Sequence, residues 1–134
     1  MTAPRRPGLL WLLIIILTGE FLAVTALAVV SVVLLVGGAS GDFASGVALA
    51  IVIVLAAIGL GATVVGAVRG QSWIRAAAIV WQVLQVAVGV GALQGAVAQP
   101  VYGWPLIIVA VVAFILLFTK PVVAATSRRS DDAL

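Results

Sequence analysis

The chain contains no cysteine and no histidine, and only 8% of its 134 residues are charged. Each scarcity excludes something. Without cysteine there is no disulfide framework and no thiol nucleophile, and without histidine most zinc sites and the commonest general base are gone too. A soluble domain carries about 25% charged residues to cover its surface, so a chain this poor in charge does not coat itself for water. In place of charge stand 65% hydrophobic residues and a mean hydropathy of +1.38. The pI near 10.7 comes from seven basic residues, and their placement points to membrane orientation rather than to nucleic acid. Length suggests a single domain.

A bilayer core of about 30 Å needs about 20 apolar residues per helix. Four runs qualify, over about 9–36, 43–68, 73–98 and 104–123, the last interrupted near its end by Lys120 and Pro121. Breakers separate them: Gly37 to Asp42, Arg69 to Ser72, and Gln99 to Gly103. Much of the apolar content is β-branched, which suits strands in water. In lipid, however, an open sheet edge leaves backbone groups unpaired, so the runs are predicted to be helices. Pro105 fits the first turn of the fourth helix, where no backbone N–H is needed. The fold class expected is therefore all-α, an integral membrane four-helix bundle over residues 1–126 followed by a short polar tail, 127–134.

The charges predict its orientation. Arg5 and Arg6 precede the first run, Arg69 and Arg75 flank the turn between the second and third, and Lys120, Arg128 and Arg129 end or follow the fourth. With four spans all seven lie on one face, and the loops of the other carry only Asp42. The positive-inside rule then places both termini in the cytoplasm and the protein in the plasma (inner) membrane as a multi-pass protein. Tyr102 and Trp104 would form the outer aromatic belt, Trp11 and Trp73 the inner one. The first run has a basic start and an Ala26-Leu27-Ala28 stretch like a cleavage site, but its apolar length far exceeds the 7–15 residues of a signal-peptide core. It is expected to stay as an anchor.

Within the runs one residue stands out. Glu20 is the only acid deep inside any of them, where a charged side chain costs about 2.5–3.5 kcal/mol even on permissive insertion scales. At 100° per residue it shares a face with Leu13, Ile16, Val24, Leu27 and Ser31. On the third run Gln71, Arg75, Ala78, Gln82, Gln85 and Gly89 fall on one stripe, with Trp81 beside it. Glu20 and Gln85 each lie about 12 residues, roughly 18 Å, from the cytoplasmic edge. Glu20 can therefore hydrogen-bond Gln82 or Gln85 wherever the first and third helices touch. A carboxyl group locking those two helices comes first among its roles, and a protonatable group that binds and releases a proton or a cationic ligand comes second. The candidate polar site is thus Glu20, Gln82, Gln85 and Trp81. The glutamines are expected as interhelical glue, Trp81 as core, and Arg75 as an interfacial anchor. Small residues at four-residue spacing, Ala57 with Gly61, Ala62 with Gly66 and Gly70, and Gly91 with Gly95, offer close helix packing. The fourth run has no polar side chain from Leu106 to Phe118 and is expected to face lipid over much of its circumference.

No nucleophile–base pair, paired carboxylates or phosphate-cradling loop appears, so neither catalysis nor a cofactor or metal is expected. The expected partners are the lipid bilayer and another membrane protein or a second copy, with no nucleic acid. The stretch GQSWIRAAAIVWQVLQ from Gly70 to Gln85, with Leu93-Gln94-Gly95, Tyr102-Gly103-Trp104-Pro105-Leu106 and Leu117-Phe118-Thr119-Lys120-Pro121, resembles small four-span membrane proteins common in actinobacteria. That resemblance covers most of the chain and implies the four-span fold with an acid in the first span, but no specific activity. The chain is also similar in length and span number to small multidrug-resistance exporters. In that likeness Glu20 would be the coupling acid and Trp81 its aromatic neighbour in the third span. It departs in its strong charge bias, which makes an inverted subunit hard to insert, and in the residues around Glu20. Two functional classes follow: a structural or accessory membrane subunit, and, behind it, a small proton- or cation-coupled transporter using Glu20.

Overall fold

A computed structural model of the protein describes residues 8–39, 41–94 and 100–124. Arg5, Arg6, Arg128 and Arg129, Gly95 and the last residues of the third expected span lie outside the described residues. Four helices follow one another, α1 (Gly8–Val36), α2 (Phe43–Val68), α3 (Ile74–Gln94) and α4 (Pro100–Leu117). All four are long and apolar enough to cross a membrane, which makes the chain a multi-pass membrane protein in its architecture.

The turns are built by residues that suit them. α1 ends with Gly38 at φ 71°, where Ala39 N–H donates to Leu34 O (3.0 Å) and Gly38 N–H to Leu35 O (3.2 Å). This is a Schellman cap, whose left-handed residue is glycine because a Cβ there is strained. α2 ends the same way, with Gly70 at φ 70°, Gln71 N–H on Gly66 O (2.9 Å) and Gly70 N–H on Ala67 O (3.1 Å). Asp42 caps the start of α2, accepting from Ser45 N–H at 3.1 Å and from the Ser45 hydroxyl. The Ser45 hydroxyl first, and the Ser45 amide second, hold the Asp42 carboxyl below its usual range. A lowered folded value means the cap is intact above the ordinary carboxylate range, about pH 4, and is lost as pH falls through that lowered value. Amide exchange at Ser45 is therefore expected to stay slow from neutral pH down to mild acid and to quicken only in strong acid. Asp42→Ala should make it fast at every pH. Exchange at Ser45 that is already fast in the wild-type chain at neutral pH would contradict the cap.

The fourth helix departs from the sequence expectation at both ends. It begins at Pro100 rather than at 104, so Pro100 takes the first helical position and Pro105 lies inside the helix. The supposed breaker is helical because Gly103 is buried against α3, giving the segment a packing surface. At the other end α4 stops at Leu117, the chain turns at Phe118 and Thr119, and residues 120–124 resume a short helix. Pro121 explains the break: it has no N–H to give Leu117 O, and its ring crowds the carbonyl four residues back.

The helices form two hairpins. α1 packs along α2 and α3 along α4, while α1–α4 and α2–α3 contacts are sparser. α1 and α3 thus face each other across the diagonal. The α3–α4 crossing is made by Gly89 and Gly103: a Cβ on Gly103 would stand 2.9 Å from Gly89 O and 2.8 Å from Leu93. This corrects the expected pair Gly91 with Gly95, since Gly91 meets nothing within 4 Å. Of the small residues on α2, Ala57, Gly66 and Ala67 are buried, and Gly61 lies under the Phe21 ring, whereas Ala62 is exposed.

Burial is concentrated towards one end. Leu10, Leu13, Ile14 and Leu17 of α1 meet Leu60 and Ala67 of α2, Ile74 and Ala78 of α3, and Ala113, Leu116, Leu117 and Val122. Beyond Glu20 the only buried residue of α1 is Ala28. The expected α1 face holds for Leu13, Ile16 and Val24 but fails at Leu27, which is exposed. α4 buries a stripe of Gly103, Ala110, Ala113, Leu116 and Leu117 and leaves Val101, Ile108 and Ile115 outside. Much of its circumference is thus exposed, as expected.

Candidate functional site

Glu20 sits on α1 one turn beyond the last core leucine, Leu17, at the boundary between the densely packed half of the bundle and the rest. Its carboxyl group reaches across the diagonal to α3. Trp81 Nε1–H donates to Glu20 Oε2 at 2.9 Å, and Gln82 Nε2–H donates to the same oxygen at 3.4 Å. Gln85, one turn further along α3, also lies within the interaction range of the carboxyl group, but its amide hydrogen goes to Leu106 O of α4 at 3.1 Å. The inner part of the sequence stripe is buried: Ala78, Gln82, Gln85 and Gly89, with Gln82 only 1% and Gln85 only 7% exposed. Trp81 packs against the core, as expected. It is also the shorter of the two bonds to Glu20, a part the sequence did not assign it.

The oxygens of this cluster are less well served than its hydrogens. Glu20 Oε1, Gln82 Oε1 and Gln85 Oε1 are all buried without a hydrogen-bond partner. Buried polar atoms in native proteins are nearly always paired, so three on adjacent side chains mark the site out.

Arg75, two turns towards the core end, is not a counter-ion for Glu20. Its Nε donates to Leu117 O at 3.3 Å, the carbonyl that Pro121 leaves open, and its guanidinium lies 5.2 Å from the centre of the Phe118 ring. A cation at the C-terminal carbonyls of a helix is favoured by the helix dipole. The interfacial role expected of Arg75 thus acquires a defined partner, one that spacing alone did not reveal. At the same end Trp73 Nε1–H donates to Gln71 Oε1 at 2.6 Å, taking Gln71 out of the α3 stripe and into the turn.

Two apolar grooves open on the sides of the hairpins. One, of about 260 Å³, lies between α3 and α4, lined by Gln82, Val83, Val86, Ala110 and Phe114 among others. The other, of about 520 Å³, lies between α1 and α2 against Phe21, Thr25, Ala57 and Gly61. Neither joins the Glu20 carboxyl to a polar vestibule. The hydroxyls of Thr18 and Thr63 bond back to their own helices, to Ile14 O at 2.7 Å and Gly59 O at 2.9 Å, whereas the buried Thr25 Oγ1 has no partner.

No protein family, curated protein or solved structure matches the chain.

Proposed function

We propose that the protein is a non-enzymatic accessory subunit of the plasma (inner) membrane, a small bundle with both termini in the cytoplasm that packs against other membrane proteins or a second copy. The observation that carries this reading is the use made of Glu20. The one acid in the spans is bonded to Trp81 and Gln82, tying the two hairpins together where their helix contacts are sparse. A polar tie between membrane helices contributes about 0.6–2 kcal/mol. The grooves beside it are apolar and suit acyl chains or a neighbouring helix better than a hydrated solute.

A second reading, a small proton- or cation-coupled transporter working through Glu20, is favoured by the unpartnered oxygens of the same cluster.

Extraction in a mild detergent separates the two readings. An accessory subunit should come out with a partner or a second copy in fixed stoichiometry, and repeated recovery as a stable lone monomer would count against it. A transporter should lose pH-dependent flux in reconstituted vesicles on Glu20→Gln with insertion intact. The cysteine-free sequence gives a clean test of orientation. Ala124→Cys should label from the cytoplasmic side and Ala39→Cys from the other, and the reverse pattern would overturn the orientation.

A further inference from the structure

Three buried acceptors without a hydrogen-bond partner lie on neighbouring side chains, Glu20, Gln82 and Gln85. Gln82 and Gln85 are each held by the hydrogen-bearing end of the amide, Gln82 by Glu20 Oε2 and Gln85 by the Leu106 carbonyl. A carbonyl only accepts, and so does a carboxylate. Turning either amide round would set oxygen against oxygen. The unpartnered acceptors are therefore the two amide oxygens, while each amide nitrogen keeps one further hydrogen. Glu20 has the same asymmetry: Trp81 and Gln82 both serve Oε2, and Oε1 receives nothing.

We infer that Glu20, Gln82 and Gln85 form a binding site for one monovalent cation, held either as an alkali ion among the three free oxygens or as a proton carried on Glu20 Oε1 and donated to a glutamine oxygen. What the cluster lacks is positive or hydrogen-donating, and either species supplies it. One carboxylate and two neutral amides carry a single negative charge, so a single positive charge neutralises the site. A divalent ion would leave a net charge buried in a low-dielectric interior, which is costly. No other ionisable group competes. α2 has none within its helix, α4 has only Tyr102, exposed in its first turn, and Arg75 of α3 is tied to Leu117 O. Arg69, Asp42 and Lys120 stand at or beyond helix ends. Binding of this kind does not depend on transport: it would regulate an accessory subunit by strengthening the tie between hairpins as readily as it would couple a carrier.

The test is cation titration of the full chain in lipid nanodiscs. Trp81 emission is followed in a variant whose Trp11, Trp73 and Trp104 are phenylalanine, and thermal stability is followed in the wild-type chain. Sodium or potassium replaces choline at constant ionic strength, and a separate series lowers pH in choline alone. A saturable response to an alkali ion identifies the ion, a saturable response to acid that alkali ions leave unmoved identifies the proton, and mutual competition shows both using the site. Each response should vanish in Glu20→Gln. Gln85→Met, which keeps side-chain length but loses one free oxygen, should move the midpoint by about tenfold or more in ligand concentration, as loss of a bond to a charged group does. A merely structural Gln85 would lower stability and leave the midpoint where it was. The inference is overturned if neither titration saturates, or if the response survives in Glu20→Gln. Should Glu20→Gln fail to insert, an unmoved midpoint in Gln85→Met overturns it.

Discussion

Gly103→Ala is expected to destabilise the bundle by about 1–3 kcal/mol, the range for forcing an extra carbon into a packed contact. Two of the atoms the new Cβ would meet belong to Leu93 and can swing aside, but the third is the backbone oxygen of Gly89 at 2.9 Å. That oxygen moves only if α3 and α4 separate. The change raises intrinsic helix propensity by about 0.5–1 kcal/mol, so the measured loss is what remains after that gain. Gly91→Ala is the matched control. It lies on the same helix as Gly89 but has open space around it, so it should leave stability unchanged or slightly raised. Reversible unfolding in mixed micelles compares the two, and equal effects would mean that α3 and α4 do not cross at Gly89 and Gly103.

Trp81→Phe should cost about 1–3 kcal/mol, the range for a hydrogen bond to a charged or buried acceptor. Phenylalanine keeps most of the ring's packing and loses only the Nε1–H, leaving Glu20 Oε2 with the longer bond from Gln82, 3.4 Å. The cost should depend on the acid being present. In a Glu20→Leu background the same tryptophan change is expected to cost little, giving a coupling of about 0.6–2 kcal/mol in the double-mutant cycle. Glu20→Leu alone is expected to cost about 1–3 kcal/mol, because it leaves the Trp81 Nε1–H and a Gln82 N–H without their acceptor. Additive effects of the two substitutions would show that Trp81 does not hold Glu20. Unchanged stability in Glu20→Leu would show that the acid does not tie the hairpins.

The helical parts of the fold were legible because lipid leaves the backbone one economical solution. Runs long enough to span, without internal partners for a sheet, had to be helices, and the observed α1 and α2 match the expected runs to within a residue. Stripe geometry was legible for the same reason: a 100° step per residue places Ala78, Gln82, Gln85 and Gly89 on one face wherever that face turns. The start of the fourth helix was not legible because glycine and proline break a helix only where nothing packs against them. A buried Gly103 and a first-position Pro100 are helix-compatible once a neighbour is there to pack against. Arg75 was legible as an anchor but not as a cap, since its acceptor at Leu117 is opened by Pro121, and neither residue is its neighbour in sequence.

By itself the sequence determined the membrane-spanning helices and the depth of the lone acid, because both follow from length, hydropathy and the rise of a helix. It also put Gln82 and Gln85 within reach of that acid. Only the tertiary structure decided how the reach is used. Trp81 makes the shorter bond, Gln85 turns to Leu106, and three buried oxygens are left without a hydrogen-bond partner. Those choices depend on which helices are neighbours and which are diagonal. Apolar surfaces of similar shape leave that pairing open in one dimension, and it is settled in three by the close approach of Gly89 to Gly103 and the packing of the core leucines.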